Sequence, residues 1–265
     1  MTITFDYLGK MGQLGNQMFQ YAALKGVATH KGYDYGIPNH KEIFEDGLGN
    51  KLRIELFECF DINVKTYTGI QTRYHESGFE FDENLFNRCP DDVSLTGYFQ
   101  TDRYFNHIAD EIRKDFTFKK SIRDECQPIV DEVLDKKPIA LHIRRGDFLI
   151  NSANHHNLGL DYYEEALSKF DSDREVAIFS DDPSWIISQE LFKPDRFLVS
   201  ETGKSHHDLY LMTQCSDFII ANSTFSWWGA WLANTGRVIA PSTWFGPRNA
   251  HLDTKDLYCP EWEVI

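Results

Sequence analysis

The sequence is short of cysteine, of positive charge and of long apolar runs, and each shortage excludes something. Five cysteines in 265 residues (Cys59, Cys89, Cys126, Cys215 and Cys259) are odd in number, widely spaced and without a CxxC pair. That excludes a disulfide framework and a zinc knuckle and leaves reduced thiols, in the core or at the surface. Lys and Arg number 27 against 41 Asp and Glu, a formal net charge of -14. A binder of nucleic acid or of an anionic membrane needs a basic face that releases counterions, so neither class fits and any anion site must be local. No run approaches the ~20 apolar residues that cross a bilayer, and MTITFDYLGK lacks the basic and long apolar segments of a secretory signal. The expectation is a soluble cytoplasmic protein with no nucleic-acid partner and no integral membrane segment. HExxH, GxSxG and paired Cys/His ligand sets are missing too, which removes support for metalloprotease and α/β-hydrolase chemistry.

What is present is ample apolar material, 42% hydrophobic and 14% aromatic, enough for one large or two ordinary domains. Thr2 to Leu8 alternates like a strand and runs into GKMGQLG (9–15), after which Gln17 to Lys31 has helical spacing. Gly12 and Gly15 suit a tight turn or a ligand, but they fall short of the GxGxxG spacing. Asn16 and Gln17 at the helix start either cap it or face a ligand. From Tyr33 to Cys89 the pattern blurs into short strands and loops. VSLTGYFQTDRYF (93–105) reads as a strand, a turn and then a helix through Ile108, Ile112 and Phe116. The charged stretch 117–137 is the best candidate for a domain boundary.

Beyond it, strands and helices alternate. Ile139 to Ile143 is a buried strand; Asp161 and Glu164 resemble a capping box at a helix start; Val176 to Phe179 is a strand; Asp182-Pro183 opens a helix with proline where its missing N–H costs nothing. Arg196–Ser200, Phe218–Ala221 and Arg237–Ala240 read as further strands, with helices over His207–Cys215 and Phe225–Leu232. This order implies a parallel, doubly wound sheet, whose ligands lie at the C-terminal strand ends.

Three loops there carry chemistry. HIRRGDF (142–148) sets Arg144 and Arg145 at a strand end, where two guanidiniums either bind phosphate or carboxylate oxygens or pair with Asp147 and other carboxylates. Asp181 and Asp182 suit a ribose or a base edge, or else a helix cap and a solvated carboxylate. NSTFSWW (222–228) brings Ser223, Thr224 and Ser226 to a helix start, fit for a diphosphate or simply for capping. Trp227, Trp228 and Trp231 at helical spacing read as core. The glycosylation tripeptide at Asn222 is discounted. Asp171-Ser172-Asp173 matches a metal-holding DxD, but it falls on the opposite side of the sheet and reads as a solvated turn. His155-His156 and His206-His207 read as loop residues.

GQLGNQMFQYA (12–22), LTGYFQTDRYF (95–105), LHIRRGDF (141–148), LDYYEEAL (160–167), FSDDPSW (179–185) and NSTFSWWGAWLA (222–233), in this order, resemble the α-1,2-fucosyltransferases of glycosyltransferase family 11. The block of His142, Arg144, Arg145 and Asp147 is similar to an HxRRxD motif of other fucosyltransferases. The resemblance implies an α/β, GT-B-like fold of two Rossmann-like lobes with a cleft between them: an acceptor-side lobe over 1–130 and a lobe binding GDP-fucose over 131–265. It implies inverting transfer of L-fucose from GDP-β-L-fucose to the 2-OH of a β-galactoside, in a galactose-terminated oligosaccharide or a lipid-linked glycan. No cofactor and no metal are expected.

By the same resemblance Arg144 serves the β-phosphate, Arg145 and His142 shape the donor pocket, and Asp181 or Asp182 reads guanine or ribose. Ser223, Thr224, Phe225 and Ser226 hold the diphosphate, with Asn222 of the same block among the binding residues. Asn16 lies near fucose and acceptor, with Gly12, Gly15 and Gln17 in its loop. Asp147 is either the base that takes the acceptor proton or the partner of an arginine. The chain departs from the family pattern at Gln13, where a second glycine is usual, and at Phe148, where tyrosine is. Two alternatives stand beside this reading, a fucosyltransferase of another linkage and a non-catalytic nucleotide-sugar or glycan-binding protein.

Overall fold

Short aliphatic strands, each followed by a helix or turn, set the frame of the structure, a computed structural model that describes residues 1–45 and 51–265. It has two compact units. The first holds Met1–Lys119 and Leu252–Cys259, the second Lys120–His251 and Pro260–Ile265.

In the first unit β1 (Thr2–Thr4) leads into α1 (Leu14–Lys31), which is longer at its start than its apolar spacing suggests and ends at Gly32 in the left-handed conformation. Then follow β2 (Asp34–Gly36), the antiparallel pair β3 (Phe44–Glu45) and β4 (Lys51–Leu52), α2 (Leu56–Cys59), β5 (Arg73–His75), α3 (Glu83–Arg88) and β6 (Val93–Thr96). Two 3-10 turns, Asp102–Tyr104 and Asn106–Ile108, precede α4 (Ala109–Asp115), so the expected single helix here is broken. The main sheet runs β2-β1-β6-β5 with every pairing parallel. Helix α1 is buried on nearly every side, and Gly26 is needed because a Cβ there would stand 2.0 Å from the Tyr104 carbonyl oxygen. The returning segment is tied in by Asp256, which pairs with Arg103 at 2.7 Å and accepts from the Phe81 N–H at 3.0 Å.

The second unit begins with α5 (Lys120–Ile129), followed by a π-helical segment, Val130–Leu134. The expected division at 130/131 differs from the observed one for a physical reason. Ile122 and Cys126 of α5 are buried, and Glu125 pairs with Lys204 at 2.8 Å and lies 3.3 Å from His207, so α5 belongs with the second unit. Next come β7 (Ile139–Ile143), α6 (Gly146–Ile150), α7 (Leu160–Leu167), β8 (Val176–Ser180), α8 (Pro183–Ser188), β9 (Phe197–Val199), α9 (Ser205–Met212), β10 (Asp217–Ile219), α10 (Thr224–Ala233), β11 (Val238–Ala240) and β12 (Glu263–Val264). All are parallel in the order β12-β11-β10-β7-β8-β9. Thus β11 does not close the sheet: β12 adds an edge strand that the sequence pattern did not announce.

The core here is aliphatic: Ile139, Leu141 and Ile143 on one face of β7 pack with Val176, Ile178, Ile219 and Ile239. Trp227, Trp228 and Trp231 are buried together, as their spacing implies. None of the five cysteines forms a disulfide, and all are buried, none at the surface. The capping box at 161–164 does not form, because Gly159 is the N-cap and makes no side-chain bond. His207 is a buried helical residue and not part of a loop.

Candidate active site

The second sheet is wound outward in both directions from β7. The chain goes from β7 to β8 and β9, then returns to place β10 on the other flank of β7. The β7/β10 boundary is therefore the switch point, and the C-terminal ends of those strands are where a sheet of this winding binds its ligands. The loops that meet there are the arginine loop after β7 and the hydroxyl loop after β10. The ring of His142, near the end of β7, and that of Phe225, in the first turn of α10, lie 5.4 Å apart.

Both readings of the arginines find expression in this geometry. Arg144 spans two carboxylates, with Nη2 donating to Asp147 at 2.6 Å and Nη1 3.0 Å from Asp181. Arg145 donates from Nε to Asp182 at 3.1 Å, its backbone N–H donates to Asp181 at 2.9 Å, and its guanidinium lies over the Trp185 ring at 3.9 Å. Stacking and the Asp182 pair fix the plane of that fork. Its Nη groups make no hydrogen bond among the described residues. Asp182 also caps α8 by accepting from the Trp185 N–H at 3.1 Å.

So Asp181 and Asp182, expected to read a base or ribose, are arginine partners here, because the register of β7 against β8 pairs Ile143 with Ser180 and sets the two loops side by side. Asp147 likewise stands as the partner of Arg144. Gly146 is required by proximity, since a Cβ would sit 2.5 Å from the Asp181 carboxylate.

His142 points to the face of β7 opposite the aliphatic cluster. It is 4% exposed, its Nδ1 is buried without a partner, and burial, helped by the Arg144 charge, lowers its pKa to about 3. The ring is neutral at any ordinary pH.

At the start of α10 the N-cap Ser223 makes no side-chain capping bond. The hydroxyls of Ser223 and Thr224 have no hydrogen-bond partner among the described residues, so capping does not explain them. Both are half-buried, as is Phe225, and the first-turn N–H groups have no acceptor within the helix. Two other members of the block serve the fold. Ser226 is fully buried with its hydroxyl on the Ala221 and Ser223 carbonyls. Asn222, 3% exposed, donates to the carbonyls of His156 and Trp244, both at 2.8 Å, which also removes it as a glycosylation acceptor.

In the first unit the glycine loop is a built turn. Gly12 has φ +73° and packs so tightly on Asn16 that a Cβ would lie 2.3 Å from its Nδ2. Neither Asn16 nor Gln17 caps α1. Instead Glu55 accepts from the Leu14 N–H at 2.8 Å, while Gln17, 1% exposed, donates to the carbonyls of Gly12 and Arg53 and accepts from the Glu55 N–H at 2.7 Å. Gln17 and the buried Gly15 therefore shape the loop and do not present polar groups. Asn16 is half-buried and accepts from Gln100 at 2.9 Å.

Sequence reasoning missed Glu55, Gln100 and Glu76, whose two oxygens accept from the Tyr98 and Phe99 N–H groups. No local pattern signals such residues. A buried glutamine in LTGYFQTDRYF was the one available hint. The Asp171–Asp173 turn precedes β8, at its N-terminal end, where Asp173 faces Arg196.

Comparison with known proteins fits this arrangement. The O-antigen biosynthesis glycosyltransferase WbnK of Escherichia coli is 29% identical over 298 residues, covering 93% of this chain and 97% of the relative. An alpha-1,2-colitosyltransferase of Escherichia coli is 29% identical, covering 94% of each, and the galactoside 2-alpha-L-fucosyltransferase SEC1 of Bos taurus is 28% identical, covering 96% of this chain and 72% of the relative. Among solved structures, POFUT1 in complex with GDP-fucose superposes with a TM-score of 0.57 at 13% identity, covering 88% of this chain and 94% of that one. NodZ alpha-1,6-fucosyltransferase soaked with GDP-fucose gives 0.51 at 14% identity, covering 91% and 94%. At such identities the likeness shows the fold, which is GT-B-like with parallel sheets. The sequence model of Glycosyl transferase family 11 matches residues 4–265, and with that the chain belongs to glycosyl transferase family 11 and is a glycosyltransferase.

Proposed function

We propose that the protein transfers L-fucose from GDP-β-L-fucose, with inversion and without a metal, to the 2-OH of a β-galactoside in a glycan. The observation that carries this reading is the Arg144–Arg145 pair at the end of β7 and the uncapped start of α10 after β10, on strands that are neighbours at the switch point of the second sheet. As the acceptor hydroxyl forms its bond to the anomeric carbon, the bond to GDP breaks and charge collects on the β-phosphate. Fixed guanidinium and N–H donors stabilise that charge without reorganising. Arg144 serves the β-phosphate, the open Nη groups of Arg145 complete the cradle, and Ser223, Thr224 and the N–H groups of the first helical turn hold the remaining oxygens. Neutral His142 lines the pocket as an acceptor. On this reading the first unit carries the acceptor residues, with Asn16 among them.

The proton of the acceptor hydroxyl leaves to a carboxylate or to water. Asp147 is read as the partner of Arg144, whose Nη2 donates to its Oδ1 at 2.6 Å. Arginines in place of a divalent ion account for a donor site whose DxD turn lies at the wrong strand end. The name of SEC1 supports galactose as acceptor and the 2-OH as target; the colitosyltransferase relative favours one second reading, a different donor sugar.

The test is an assay of GDP-fucose against a panel of galactosides and other glycans, with and without EDTA, read by mass spectrometry and linkage analysis. An α-1,2-fucosylated galactoside formed equally in EDTA is expected. Product of another linkage, transfer of colitose but not fucose, binding without transfer, or EDTA inhibition reversed by Mn²⁺ would each overturn the corresponding part.

A further inference from the structure

Glu76 follows the C-terminal end of β5, and its carboxylate is committed to the loop after the neighbouring strand β6. Oε2 accepts from the Tyr98 N–H at 2.7 Å and Oε1 from the Phe99 N–H at 2.8 Å. That loop needs holding. Phe99 has φ +52°, a left-handed conformation that a large side chain rarely adopts, and its fully buried ring packs edge-on against Phe5 and Tyr104. Gly97 passes so close that a Cβ would lie 2.5 Å from the Glu76 Cβ.

The next residue, Gln100, is 6% exposed, and its Nε2 donates to Asn16 at 2.9 Å. Gln20 ties the same two loops together through the carbonyls of Met11 and Gly97. Glu76, the 97–100 loop, Gln100 and Asn16 thus form one chain of contacts along the C-terminal edge of a single sheet.

We propose that Glu76 is a positioning residue for the acceptor half of the reaction: its carboxylate holds the 97–100 loop so that Gln100 keeps the Asn16 side chain in its working orientation. This rests on the reading of Asn16 as an acceptor-side residue.

The clamp is sensitive to protonation in the working range. Burial pushes the Glu76 carboxyl up to about 7, the two backbone N–H groups oppose this, and the charges of Asp82 and Glu80 add to it. The groups around it are mostly acidic. Asp82 caps α3 and accepts from the Tyr74 hydroxyl, Glu80 also acts on Lys255, and the Tyr104 hydroxyl accepts from the Asp82 N–H. Ionised, Glu76 accepts both N–H groups. Protonated, one of its oxygens carries a hydrogen and, without the negative charge, accepts from its N–H more weakly, so the clamp is complete above about pH 7 and loosens below it.

The experiment measures kcat/KM for donor and acceptor across about pH 5.5 to 8.5 in the wild type, Glu76→Gln, Gln100→Ala and the double variant, alongside GDP affinity and circular dichroism. In the wild type, acceptor kcat/KM should fall as the pH drops through about 7 and level off near the value of the Glu76→Gln variant. Glu76→Gln should lack that limb and stay roughly tenfold or more below the wild-type plateau, with GDP affinity within about twofold. The double variant should be no worse than the worse single one.

Persistence of the limb in Glu76→Gln, additive losses, or an equal loss of GDP affinity would overturn the proposal. If Glu76→Gln fails to fold, Glu76→Asp decides: it keeps a carboxylate and so should keep the limb while losing acceptor kcat/KM, and unchanged kinetics would overturn the proposal. A wild-type protein that transfers to no galactoside overturns the proposed function and this inference together, whereas transfer with an unaltered limb in the variant overturns this inference alone.

Discussion

Arg144→Ala separates catalysis from folding, because the structure lets both costs be worked out. The guanidinium binds two carboxylates, 57% exposed at Asp147 and 25% at Asp181. On truncation Asp147 returns to water, and Asp181 keeps the Arg145 N–H at 2.9 Å. Partly exposed pairs of this kind contribute about 0–1 kcal/mol, so the melting temperature should drop by no more than about 2–4 °C. Loss of a fixed donor to a leaving-group charge costs far more, about 2.7–4 kcal/mol of transition-state stabilisation, or 10²–10³ in turnover. The assay is kcat by GDP release, with product confirmed by mass spectrometry, beside a thermal melt. Arg144→Lys should recover part of the loss by restoring the charge without the fork. Turnover within about threefold of wild type would refute the phosphate role, and a collapse of the melting temperature would show that the arginine is structural.

Asp147→Asn should leave turnover within roughly fivefold, since Asp181 still holds Arg144; a loss in the 10²–10⁴ range of a general base would restore Asp147 to that role. His142 is neutral when folded down to about pH 3, but the unfolded chain binds a proton near its ordinary value of ~6.5. Stability should therefore fall as pH drops through that window, by up to about 1.4 kcal/mol per unit; urea unfolding of His142→Gln that shows the same slope would refute this. Trp227→Ala, which empties a fully buried site among stacked indoles, should cost about 3–5 kcal/mol, read by denaturant midpoint. The five buried thiols, with Cys59 and Cys215 pushed up to about 12 by burial, should resist a thiol reagent until the chain unfolds; rapid labelling of the native protein would contradict the burial.

The second unit was legible because parallel strands covered on both faces read as apolar runs. Ile139–Ile143 is buried at every position, and Val176–Ser180 is nearly so. The Asp182-Pro183 helix start was equally plain, since cap and proline are adjacent. What escaped had no local signature. Helix α5 is mostly polar, buries little beyond Ile122 and Cys126, and carries Pro128 inside it, so it looked like a linker. Strands β2 and β5 are three residues each, with exposed positions, and find their partners tens of residues away.

The same limit governs the site. The arginine pair stood out because neighbouring guanidiniums at a strand end have few explanations. Their partners did not, because a carboxylate that serves an arginine across 36 residues looks in sequence like one that awaits a ligand. Polar residues spent on carbonyls, such as Gln17, Asn222 and Ser226, are equally indistinguishable from ligand contacts until their hydrogen bonds are counted. Glu76 is the extreme case. Its role depends on a neighbouring strand's left-handed Phe99 and on burial that shifts its proton affinity, and both exist only once β5 and β6 are paired.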